Sequence, residues 1–481
     1  MSPRLLSGSL SAALSAALLG ASLLSACGAL APAYERPAAP VPDRFPNAAS
    51  AASASASSTA TPAADIPWPT FFTDARLRRR IEVALQNNRD LRVAVLNIEQ
   101  ARATARARDA DLWPTLNAGI TGSRQPTASG GVSSIYSAGL QVSAYELDLF
   151  NRVRSLGDAA AQQALASAEA RKAVQISLIA AVATAHLALQ ADDEALRATQ
   201  QTLQTRQDTL RLTKLRFDNG ASSMLDLRGA ESLQAAAEVN LAQQTRQRAL
   251  DENALVLLLG MALPVDAPAA PNTAPSLAAN PALPEVPAGI PSDLLTRRPD
   301  VRQAELQLVA ANANIAAARA AFFPKITLTG SLGSVSGALS GLFKAGTGAW
   351  SFAPQLLQPL FDAGRNQANL AFSVAARDIA VAQYEKAVQT AFREVADALA
   401  GRATLQDQLR AQTALAQAEQ GRLDLTELRY RNGASSALEV LDAQRSLYAA
   451  QLAQVQVQAQ VQQNAVALYR VLGGGWTADG P

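Results

Sequence analysis

Leu215-Arg216-Phe217-Asp218-Asn219-Gly220-Ala221-Ser222-Ser223 returns as Leu428-Arg429-Tyr430-Arg431-Asn432-Gly433-Ala434-Ser435-Ser436, a shift of 213 positions. The same shift carries Leu259-Gly260 onto Leu472-Gly473. A fixed internal shift means that one structural unit is written twice. Asn-Gly inside otherwise helical sequence supplies the positive φ of a tight reversal. Each copy therefore holds a helix, a sharp turn and a returning helix. An upstream echo sets Asp90-Leu91-Arg92 against Asp300-Val301-Arg302, and Trp113-Pro114 against Phe323-Pro324. Each half reads helix, proline, strands, long helix, turn, helix.

Prolines bound the helices. None occurs between Pro126 and Pro264, or between Pro359 and Pro481. Helix can run from about Arg152 to Phe217 and from about Gly364 to Tyr430, roughly 100 Å each at 1.5 Å per residue. That far exceeds the ordinary globular helix of about 10–14 residues. The return limbs, about Ser223–Leu259 and Ser436–Leu472, are half as long. Ala75–Leu112 and Asp293–Phe322 supply the matching halves.

Between the helices lie short alternating segments. Lys325–Leu332 alternates polar and apolar residues throughout, and Thr115–Thr121 does the same; the pattern is less regular at Leu140–Ala144 and Trp350–Phe352. Period-two alternation puts one face on apolar material and one on water. Four such strands suit either soluble hairpins covering helix ends or tilted membrane strands. In lipid they cannot close a barrel alone, and an open edge is not tolerated there. Two chains would give eight strands and three would give twelve.

Composition narrows the function. Lys+Arg number 42 and Asp+Glu 40, so no basic field points to nucleic acid. Alanine is roughly a fifth of the chain, which suits thin helix seams. One Cys, one His and three Met exclude a disulfide framework and leave little for a soft-metal site. His186 lies among small apolar residues and reads as a helix-seam histidine. Gly473-Gly474-Gly475 follows a helix and reads as its C-cap, not as a phosphate loop. No catalytic constellation is present; the chain is not an enzyme and needs no cofactor.

The N-terminus is an address. Arg4 precedes an apolar run from Leu5 to Leu24, then Leu24-Ser25-Ala26-Cys27-Gly28. A charged start, an apolar segment and small residues make a secretory signal, and this tips the strands toward the membrane reading. Its end resembles the lipobox of bacterial lipoproteins, which makes Cys27 the lipidation site; Gly28 in place of Asp implies outer-membrane sorting. The divisions are a signal peptide at 1–26, a lipidated tether, mobile or surface-hugging, at 27–66, a first repeat at 67–263, and a Pro/Ala-rich connector at 264–292. A second repeat at 293–476 and a tail at 477–481 complete the chain.

The chain resembles the TolC-like outer-membrane factors, in the lipoprotein branch serving resistance–nodulation–division multidrug efflux systems. The resemblance is carried by Tyr34-Glu35-Arg36-Pro37; Trp68 through Asp74; Ala84 through Leu91; Asp148-Leu149-Phe150-Asn151-Arg152; Leu294 through Arg302; Ala318-Arg319-Ala320-Ala321-Phe322-Phe323-Pro324; Leu360 through Arg365; and Leu441 through Leu447. It implies a mainly α fold with a membrane β-barrel. Long antiparallel helical hairpins would form a trimeric periplasmic tunnel, and four strands per chain would contribute to a twelve-stranded outer-membrane barrel. It implies a homotrimer in outer-membrane lipid, docked on a periplasmic adaptor protein and an inner-membrane resistance–nodulation–division transporter. The function implied is a passive exit duct for drugs or other small molecules; the alternative is the exit duct of a type I protein secretion system.

The turns at Asn219-Gly220 and Asn432-Gly433 would then be the periplasmic tips. Six residues past each Gly stands an acid, Asp226 or Glu439; Asp442 follows one helical turn on, and Arg445 one turn after that. Acids in a first turn complement the helix dipole whatever the function. The family position makes Asp226, Glu439, Asp442 and Arg445 a periplasmic gate, with crowded carboxylates raising one another's pKa. Gly229 stands at the first-half position matching Asp442, so the gate is asymmetric between halves.

Overall fold

The computed structural model describes residues 32–42, 44–45, 62–128, 130–263, 277, 280, 283–284 and 297–476. The signal peptide, Cys27, most of the connector and the tail lie outside the described residues. In chain order the main elements are α1 (Trp68–Phe71), α2 (Ala75–Asn87), α3 (Arg89–Ala110), β1 (Leu116–Pro126), β2 (Val132–Leu147), α4 (Arg152–Asp218) and α5 (Met224–Leu259). The second half repeats the plan as α6 (Pro299–Ala320), β3 (Lys325–Ser336), β4 (Gly348–Leu357), α7 (Arg365–Arg431) and α8 (Ala437–Val471). The two long helices have 67 residues each, the length that the proline gaps allow.

The chain divides into two compact units, residues 1–39, 97–168 and 303–386 in one, and 40–96, 169–302 and 387–481 in the other. The first unit holds a four-stranded antiparallel sheet in the order β1-β2-β3-β4. Leu116, Ala118 and Ile120 pair with Val142, Leu140 and Ala138; Leu140 pairs with Leu332, and Leu332 with Trp350. This register puts these apolar residues on one face. Asn117, Thr121, Gln141, Ser137, Ser331 and Ser351 share the other, where Thr121 bonds Ser137 at 2.6 Å and Ser331 bonds Ser351 at 2.7 Å. Across the middle runs a row of glycines, Gly119 paired with Gly139 and Gly139 with Gly333. A Cβ on Gly333 would meet the Ala138 carbonyl at 2.1 Å. β2 is longer than its alternation suggests, because a bulge between Val142 and Tyr145, with Ala144 at φ 52°, shifts the register.

Both long helices start on an aspartate. Asp148 accepts from the Arg154 amide at 2.8 Å, and Asp362 accepts from the Asn366 amide at 2.9 Å, each offsetting an unpaired amide of the first turn. In the second unit the Ala75–Leu112 helix expected from sequence is split in two. Asn88 makes the break: its Oδ1 accepts from the Leu91 amide, and its Nδ2 donates to the Leu258 carbonyl, both at 2.9 Å. The described part of the Asp293–Phe322 helix begins later than expected, at Pro299, whose fixed φ suits a first turn.

α4 carries one window apolar enough by composition to cross a membrane, but 61% of that window is buried within the protein. Ile179, Val182 and Ala183 are core residues there, so it is a core segment. His186, 2% exposed, is more than a seam residue. Its Nδ1 lies 2.6 Å from the Arg80 guanidinium, and its Nε2 lies 3.0 Å from the Asp74 carboxylate and 3.1 Å from the Gln190 side-chain amide. Gly473, at φ 84°, closes α8, its amide donating to the Arg470 carbonyl at 3.0 Å and that of Gly474 to the Tyr469 carbonyl at 2.9 Å. Gly474 packs against the Tyr469 ring, which stacks on Phe71 at 3.9 Å.

Candidate functional site

The two reversals are built alike. The Ala221 amide donates to the Arg216 carbonyl at 2.8 Å and Gly220 to Phe217 at 2.9 Å; Ala434 donates to Arg429 at 2.9 Å and Gly433 to Tyr430 at 3.1 Å. These pairs are the signature of a glycine-terminated helix. Gly220 and Gly433 take φ of 72° and 74°. The asparagines do not share the left-handed conformation; Asn219 and Asn432 instead donate Nδ2 to the Leu215 and Leu428 carbonyls, each at 2.7 Å. The sequence reading assigned positive φ to the dipeptide, and the structure divides the labour.

The four proposed gate residues fall into two groups. Asp226 and Glu439 are the third residues of their helices, bonded back to the N-cap serines Ser223 and Ser436. Asp226 accepts from the Ser223 hydroxyl at 2.7 Å and amide at 3.1 Å, completing a capping box. Glu439 accepts from the Ser435 hydroxyl at 2.6 Å and the Ser436 hydroxyl at 3.3 Å. Hydrogen bonds from Ser223 and Ser435, respectively, hold both carboxyls below their ordinary range.

Asp442 and Arg445 belong to a second arrangement, with two residues the sequence reading missed. Arg422, on α7, donates Nη2 to Asp442 Oδ2 at 2.6 Å, and Arg445 donates to Asp442 Oδ1 at 2.6 Å. Arg422 also pairs with Glu419 at 3.1 Å. The resulting quartet has two carboxylates and two guanidiniums, and no net charge. Arg422, then Arg445, holds the Asp442 carboxyl below the usual range; within one chain the acids are lowered, not raised. Arg445 and Asp442 sit three residues apart on one helix, whereas Arg422 ties α7 to α8. Beneath them Leu423, Val440, Ala443 and Leu447 form a small apolar core with Tyr430.

The signal for Arg422 was present. It stands ten positions before Asn432, and Asp442 stands ten after it. A hairpin reversing at Asn432 must bring them opposite. The same count around Asn219 gives Thr209 and Gly229, which carry no charge; Thr209 instead receives the Gln444 amide at 3.4 Å, and a Cβ on Gly229 would touch Leu441 at 3.3 Å. The second hairpin presses into the space this glycine leaves. Above the quartet, Arg206, Leu233, Arg445, Tyr448 and Ala453 line a groove of about 480 Å³. Arg206 is 3% exposed, donates to the Leu233 carbonyl at 2.9 Å and stands over the Tyr448 ring; burial pushes its pKa down. No cluster of three or more metal-ligating side chains occurs among the described residues.

The model of the family described as outer membrane efflux protein matches residues 81–261 and 290–474. The outer membrane protein OprJ of Pseudomonas aeruginosa is 46% identical over 468 residues, covering 96% of this chain and 95% of its own. The toluene efflux pump outer membrane protein TtgC of Pseudomonas putida is 45% identical over 462 residues, covering 94% of each. Among solved structures, the open state of the Neisseria gonorrhoeae MtrE outer membrane channel superposes with a TM-score of 0.82 at 40% identity, covering 92% of this chain and 98% of that one. The chain belongs to the outer membrane efflux protein family: it is an outer-membrane efflux channel and not an enzyme.

Proposed function

We propose that three copies of this chain close a twelve-stranded barrel and form the passive exit duct of a tripartite pump. The observation that carries this is the sheet. It has four strands, an apolar face, a hydroxyl- and amide-lined face, and β1 and β4 at its edges. Backbone left unpaired at those edges must find partners in lipid, and further copies of the chain supply them. A periplasmic adaptor and an inner-membrane resistance–nodulation–division transporter are the partners that fit a duct with no energy source of its own. Drugs and other small molecules are the cargo class supported by relatives named for toluene and antibiotic efflux.

The repeats at 67–263 and 293–476 and the connector at 264–292 fit the two blocks matched by the family model. Cys27 carries the lipid that holds the chain to the outer membrane. The tips close the resting duct, and the Glu419–Arg422–Asp442–Arg445 quartet is the fastening within each chain. Deleting the gene and measuring accumulation of solvents, dyes and antibiotics tests the function. Accumulation equal to that of the parent, with a secreted protein retained instead, would move the assignment to protein export. Labelling with radioactive palmitate tests the anchor; label retained on a Cys27→Ala variant removes it.

A further inference from the structure

The described N-terminal segment is clamped to α6. Arg36 grips the Glu305 carboxylate through two bonds, Nε at 2.7 Å and Nη2 at 3.0 Å, and the Tyr34 hydroxyl adds a third at 3.1 Å. The Asn312 amide donates to the Pro32 carbonyl at 2.9 Å. Residue 36 sits at position 305 and residue 32 at position 312, so the segment runs up α6 toward the sheet. The Glu305 side chain is only 14% exposed, which makes this a built site and not a chance surface pair.

Five residue steps separate Pro32 from Cys27, a reach of at most about 17 Å for a fully extended chain. Ala320, the end of α6, lies about 12 Å along the helix axis from Asn312. Phe322 and Phe323 follow it directly. Both are about two-fifths exposed, and Leu360 and Phe361, at the foot of β4, are 92% and 90% exposed. Above this collar the apolar face of β3 and β4 continues through Leu332, Trp350, Phe352 and Leu356. The clamp leaves Cys27 enough chain to reach the collar and almost none to pass it.

We propose that this collar and the apolar face of β3–β4 are the seat of the protein's own acyl chains on Cys27, and that the Arg36–Tyr34–Glu305 clamp delivers them there. The clamp acts as a ruler that admits the lipid beside its own strands. The proposal rests on lipidation at Cys27.

The test uses the full chain in outer membranes from cells fed a diazirine-bearing palmitate analogue. After irradiation, mass spectrometry locates the adducts. In the natural chain most protein adducts should fall within 321–332 and 350–361. Arg36→Ala should cut their share relative to phospholipid adducts at least fivefold. Eight Gly/Ser residues inserted between Ala29 and Leu30, which leave the clamp untouched, should do the same by adding slack. Adducts on phospholipid alone in the natural chain, or a distribution unchanged by both variants, would overturn the proposal. Unlabelled protein would remove the occupant and the Cys27 assignment together; labelled protein with scattered adducts would overturn the seat and leave the anchor standing.

Discussion

Arg422 and Arg445 share one carboxylate, but only Arg422 reaches it from another helix. A bond within one helix cannot hold two helices together. Arg422→Ala should therefore raise the conductance of the purified channel in planar bilayers several-fold at low salt, and Arg445→Ala should raise it less. All four side chains are partly open to water, so the difference should vanish near 1 M salt, where charges are screened within about 3 Å. Equal conductance of both variants and the natural chain would reduce the quartet to surface pairing. Asp442 is held below its ordinary range, so its bond to Arg422 contributes fully above that range and is lost only as pH falls through the lowered value. Conductance should stay flat from pH 7 to about 4.5 and climb only on stronger acidification, below the usual carboxylate value of about 3.9. His186 makes a separate case. His186→Ala leaves Arg80 and Asp74 facing a cavity, at a cost of about 1–3 kcal/mol, and should lower the midpoint of thermal unfolding without altering conductance. Much of this scale was hidden in the sequence. The place of Asp226 and Glu439 in a first helical turn was readable from their distance to each Gly; their bonds to the neighbouring serines were not. The Arg36–Glu305 clamp was not, since nothing local relates residues 269 positions apart.

At the scale of elements, absence of proline gave the two long helices almost to the residue, because nothing else interrupts so long a run. Alternation gave β1 and β3 but blurred β2, where the bulge at Val142–Tyr145 moves side chains to the opposite face midway. The split between α2 and α3 also escaped, since asparagine breaks a helix only when its side chain has somewhere better to bond. The glycine row gives the sharpest test at this scale. Gly333→Ala sets a methyl against the Ala138 carbonyl at 2.1 Å, whereas Gly330→Ala meets nothing nearer than the Ser351 carbonyl at 3.5 Å. Gly333→Ala should leave little heat-resistant oligomer on gels of outer membranes, and Gly330→Ala should leave it near normal. Equal yields of the two would mean that strands β2 and β3 are not held this close.

For the whole molecule, an open four-stranded sheet sets the terms of existence. Light scattering in mild detergent should find the protein as a trimer with no folded monomer; a monodisperse, folded single chain would sink the barrel proposal. The sheet also bears on company. Edge strands pair through amides and carbonyls, which are the same in every sequence. The backbone rims of β1 and β4 therefore do little to tell a sibling from a cousin. A cell that makes two such channels at once must rely on its long helices, and on their pattern of small and bulky residues, to keep the lineages apart. Swapping strands between relatives should be tolerated, and swapping helices should yield mixed assemblies.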